Sequence, residues 1–112
     1  MGAWGSQPKD NDTSGDQFDD VASAAAKAVN KLFRSDRAGT YARWERLGTL
    51  QLVTEQMPAV VPYLQDAFKV AALDVVAILS DEDWFASWKQ PSETKSALRA
   101  FGKAIGRVLA KM

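Results

Sequence analysis

Residues 70–79 read VAALDVVAIL, a stretch apolar all the way round a helix except at Asp74. A helix without a polar face is normally surrounded by protein, so this segment is expected to be the central element of whatever the chain folds into. The carboxylate of Asp74 would then be largely removed from water. An unpaired charge there would cost several kcal/mol, so a partner is required. Arg43 and Arg46 on the preceding helix are the candidates, together with the indole N–H groups of Trp4 and Trp44. Two roles are open to Asp74: a structural pin holding a neighbouring element, or a carboxylate that binds a ligand or moves a proton. The pin is preferred, because nothing nearby in sequence supplies the second group that a reaction would need.

The rest of the chain surrounds that rod with further helices. Phe18, Val21, Ala22, Ala25, Val29 and Leu32 recur at steps of three and four, predicting an amphipathic helix over about 16–34. Its aspartates lie in the first turn and its lysines in the last, as the helix dipole favours. Thr40 suits the N-cap of a second helix, about 41–57, with Tyr41, Trp44, Leu47, Leu50, Val53 and Met57 on one face. Gly48 within it suggests a close helix crossing. Pro58 ends this helix and Pro62 suits the first turn of a third, about 62–79. Ser80 and Asp83 approximate a capping box for a short helix over 81–89. A last helix, about 92–111, turns Leu98, Phe101, Ile105, Val108 and Leu109 inward. No segment alternates as a strand would. The expectation is an all-α fold, a compact bundle of four main helices plus the short one, with 16–112 as a single helical domain.

Residues 1–15 are rich in Gly, Pro, Asn, Asp and Ser and read as an irregular N-terminal arm, which Trp4 would dock onto the body with Asn11 and Asp12 shaping the entry to the first helix. Asp10, Asp12 and Ser14 also fall at the spacing of a calcium loop. The twelfth position, where a bidentate carboxylate is needed, is Val21, which makes this the weaker reading. The opening MGAWG, followed by Pro8, Asn11, Asp12 and Asp16, resembles an uncharacterised bacterial domain family whose members begin Met-Gly-Ala/Thr-Trp-Gly and continue through a Pro turn and Asn-Asp into a helix. The resemblance covers the first 20 or so residues and implies a small, mostly helical protein of bacterial or phage origin. It implies no activity.

Composition matters chiefly through what it removes. The 112 residues include no cysteine and no histidine. Thiolate and imidazole nucleophile pairs and the usual zinc sites are therefore excluded, as is the simplest general base for neutral pH. No cofactor is expected and no catalytic residue is assigned. Lack of cysteine suits a reducing cytoplasm, and neither a membrane span nor a signal peptide is expected.

Charge cancels overall but is segregated. Residues 1–20 sum to −4, 27–46 to +4, 55–83 to −5 and 89–111 to +5. Lys95, Arg99, Lys103, Arg107 and Lys111 follow one another at steps of four, a cationic face about 24 Å long at 1.5 Å per residue. That face is either a solvated surface partly answered by Asp81, Glu82 and Asp83, or a site for an acidic protein, nucleic acid phosphates or another anionic surface. Trp84, Phe85 and Trp88 have the composition of an interface cluster, although rings in so small a domain are more often core. Gly102, Gly106 and Ala110 make a small-residue edge suited to a tight internal crossing or to a homodimer seam. The functional expectation is a non-catalytic binding module that works through protein–protein contact, of inhibitor, immunity or accessory type. The alternative is nucleic-acid or anionic-surface binding through the last helix.

Overall fold

The computed structural model describes residues 12–34 and 39–112. Among the described residues there are five α-helices and one 3-10 helix: α1 (Asp12–Phe33), α2 (Thr40–Gln56), the 3-10 helix Pro58–Tyr63, α3 (Gln65–Leu79), α4 (Glu82–Ala86) and α5 (Pro91–Lys111). No strand occurs among the described residues, so the all-α expectation holds. No helix there is long and apolar enough to cross a membrane. Trp4, Asp10 and Asn11 lie outside the described residues.

The boundaries are set by local chemistry. Gly39, at φ 109°, provides the positive-φ entry to α2 that a residue with a Cβ rarely adopts. Met57 and Gln90 both have the extended φ forced on a residue before proline, which stops α2 and sets the start of α5 with Pro91 in its first turn. Pro62 sits inside the 3-10 helix, and α3 starts at Gln65 instead of at that proline. The first helix begins four residues earlier than its apolar pattern predicts, which makes Asp12 to Gly15 helical and shortens the arm. A helical backbone at Asp12 and Ser14 is also not that of a calcium loop.

Packing centres on α3, which touches α5, α2 and α1. Ala67, Ala71, Val75 and Ile78 are buried along its inner side, against Leu47 and Leu50 of α2 and Leu98 and Ile105 of α5. One strip of α3 faces water: Leu73 is 71% exposed and Val76 63%. The expectation that α3 is enclosed on every side is therefore corrected. Three helices cannot cover the whole circumference of a fourth, and here the outer strip stays open.

The first helix contributes Ala22, Ala26, Val29 and Phe33 to the core, while Phe18, Val21 and Leu32 are exposed. Its apolar residues form two adjacent stripes, and the one with smaller residues at its head was taken inward. Asn30 fastens this helix to the head of α3: its amide Nδ2 donates to the Tyr63 carbonyl at 3.0 Å and its Oδ1 accepts from the Ala67 N–H at 3.3 Å.

Capping around α4 also departs from the expected pattern. Asp81, not Ser80, is the N-cap, accepting from the Trp84 N–H at 3.2 Å. The second oxygen of Asp81 accepts from the Thr40 hydroxyl, so Thr40 ties α2 to α4 instead of capping its own helix. Ser80 turns back and donates to the Val76 carbonyl at 2.9 Å. The helix runs only from Glu82 to Ala86, three residues short of the expected end.

Candidate functional site

The buried carboxylate is the first place to look for chemistry. Asp74 is 3% exposed and is held by Arg46 of α2, whose Nε donates to Oδ2 and whose Nη2 donates to Oδ1, each at 2.6 Å. Arg43, one helical turn earlier, stands 3.7 Å from Oδ1. The Arg46 guanidinium also lies 5.4 Å from the centre of the Phe33 ring, so one side chain joins α1, α2 and α3. A two-point Arg–carboxylate fork uses the planar match between the two groups and occupies both oxygens of Asp74. Among the described residues no group of three or more acidic side chains could hold a metal ion.

The aromatic residues divide between core and rim. Phe85 is buried. Trp84 and Trp88 are partly buried and form a cluster with Trp44, with ring centres 5.4 to 6.4 Å apart, and Tyr41 joins it at 6.1 Å from Trp84. The Trp84 indole N–H is buried without a hydrogen-bond partner. Beside this cluster a cavity of about 160 Å³ opens between α2 and α5, lined by Trp44, Leu47, Gly48, Gln51, Ala97, Leu98 and Phe101. A Cβ built on Gly48 would meet nothing within 4 Å, so no helix crosses closely there, contrary to the sequence expectation. The small residue leaves space.

The cationic row is brought to the surface, with one exception. Lys95 folds over the Phe85 ring, its Nζ 5.0 Å from the ring centre, and is only partly exposed. Arg99, Lys103, Arg107 and Lys111 are exposed and form no ion pair among the described residues. The acids expected to answer them do not: Asp81 is engaged by Thr40 and Trp84, and Glu82 and Asp83 face water.

Two of these cations, Arg99 and Lys103, share a crease with the edge of the open strip of α3. The two helices meet where a Cβ on Gly102 would lie 3.1 Å from Val75 Cγ1, the tight internal crossing expected of that glycine. Gly106, by contrast, has nothing within 4 Å and is exposed. At about 100° per residue, Val76 lies on the solvent side of Val75, and Arg99 and Lys103 lie on the solvent side of Gly102. Exposed Val76 therefore borders unpaired Arg99 and Lys103 on one outer face, and Leu73, about 200° round α3 from Val75, continues the apolar strip away from α5. The sequence expectation identified the cations but not their apolar neighbours.

No protein-family model, curated protein or solved structure matches the chain.

Proposed function

We propose that this chain is a non-catalytic binding module whose α3–α5 face takes an acidic protein partner carrying apolar anchor residues. The observation that carries the reading is the open apolar strip of α3, Leu73 and Val76, with Val76 beside unpaired Arg99 and Lys103 of α5. Apolar side chains at the centre of a contact supply most of its free energy, and surrounding charges select and steer the partner. Occupation of Asp74 by Arg46, together with the absence of histidine and cysteine, supports binding over bond-making. An inhibitor, immunity or accessory role in a bacterial or phage cytoplasm fits these features and the resemblance of the opening residues.

The test is affinity capture with quantitative mass spectrometry from the cells that encode the chain. A specific partner should be lost with Leu73→Asp/Val76→Asp and with Arg99→Glu/Lys103→Glu, while circular dichroism shows an unchanged fold. Four unpaired cations along α5 also support a second reading, binding of nucleic acid phosphates. It requires affinity for duplex DNA or RNA that falls steeply as salt rises and is indifferent to Leu73 and Val76.

A further inference from the structure

We propose that the chain self-associates through α1, two copies pairing antiparallel along a seam of Phe18, Val21, Ala25, Ala28 and Leu32. These residues are spaced by three and four in alternation, the repeat of a coiled-coil seam. Phe18, Val21, Ala28 and Leu32 lie beside the stripe that α1 buries in its own core, and Ala25, partly buried against that core, lies on the border between the two. Phe18 is 49% exposed, Val21 55% and Leu32 43%, and Ala28 is exposed as well. From Asp16 to Val21 every residue faces water, so nearly two turns of α1 extend past the body with no packing partner among the described residues. A helix end of that length has little stability in isolation and gains it by packing.

Charge selects a second copy as the occupant and fixes its direction. Asp16, Asp19 and Asp20 occupy the N-terminal half of the exposed length, and Lys27, Lys31 and Arg34 its C-terminal end. None of the six forms an ion pair among the described residues. A parallel pair would set acid against acid and base against base. An antiparallel pair sets each acidic half against the basic half of its partner, with Asp20 on the same border of the seam as Lys31. Such a pair is two-fold symmetric and closes at a dimer. Alanines at positions 25 and 28 lie at its centre and allow the two backbones to approach closely, while Phe18 and Val21 of one copy cover Leu32 of the other. This seam is separate from the α3–α5 face, and either proposal can fail alone.

The absence of cysteine gives a direct test in the full chain. Val21→Cys and Leu32→Cys variants are prepared separately, mixed in equal amounts and oxidised mildly, with Ser96→Cys on exposed α5 as the control. The expected result is a mixed disulfide joining a Val21→Cys chain to a Leu32→Cys chain, well above the control, with little same-site product from either variant alone. Sedimentation of the unmodified chain should show a dimer, and Val21→Asp/Leu32→Asp should weaken it by roughly tenfold or more while circular dichroism is unchanged. Same-site disulfides, cross-linking no greater than at Ser96→Cys, or a monomer up to millimolar concentration would each overturn the proposal. So would a monomeric Val21→Cys variant whose introduced thiol is shielded from thiol reagents, which would mean that the chain covers the seam itself.

Discussion

Arg46 grips Asp74 through two hydrogen bonds of 2.6 Å, and the guanidinium at the same time covers the Phe33 ring. This one contact joins three helices. It also supplies the partner that an acid in the middle of an apolar helix requires. Removing either member leaves a buried charge alone. Asp74→Ala is expected to cost about 3–5 kcal/mol, measured by urea unfolding, whereas Arg46→Met combined with Asp74→Leu should recover most of that loss. Arg43→Ala should cost less than about 1 kcal/mol, because Arg43 is a third exposed and stands 3.7 Å away. A double variant no more stable than Asp74→Ala alone would contradict this account.

The helical glycines separate by what surrounds them. Gly48 and Gly106 have open space where a Cβ would go, so alanine at either should raise stability by about 0.5–1 kcal/mol through helix propensity. Gly102→Ala must displace Val75 and is expected to be neutral or destabilising. Adding Val75→Ala should turn the sign of the Gly102 substitution, a coupling that a double-mutant cycle in thermal or urea unfolding would measure.

Asp81 acts in two places and Ser80 in one. Asp81→Ala removes the cap of α4 and the acceptor of the Thr40 hydroxyl together, with an expected loss of about 1–2 kcal/mol. Ser80→Ala removes only a bond back to its own helix and should change stability by less than about 0.5 kcal/mol. Equal losses at the two positions would restore Ser80 as the capping residue.

Much of this was legible in the residues for identifiable reasons. The helices and the need for a partner at Asp74 follow from periodicity and from the cost of a buried charge, and both are properties of single segments; that Arg46 and not an indole is the partner is not. Which side of a segment is covered is not such a property. The α1 pattern contains two neighbouring apolar stripes, and only the packing partners decide that Ala22, Ala26, Val29 and Phe33 go in while Phe18, Val21 and Leu32 stay out. In α3 the polar residues Gln65, Asp66 and Lys69 mark the open side only in the first turns, and residues 70–79 carry none there, so exposed Leu73 and Val76 gave no signal. Asn30 and Asp81 were missed for a related reason. Each satisfies backbone or hydroxyl groups brought near by the fold, and hydrogen-bonding capacity alone does not reveal the far partner.

The central claim is that binding is carried by the α3–α5 face, and one experiment reaches it most directly. Affinity capture is run side by side on the unmodified chain, on Leu73→Asp/Val76→Asp, on Arg99→Glu/Lys103→Glu and on Val21→Asp/Leu32→Asp, each confirmed to be folded. The account predicts a protein partner enriched by the first and the last and lost by the other two. A partner retained by both α3–α5 variants, or no partner enriched by the unmodified chain, would contradict it.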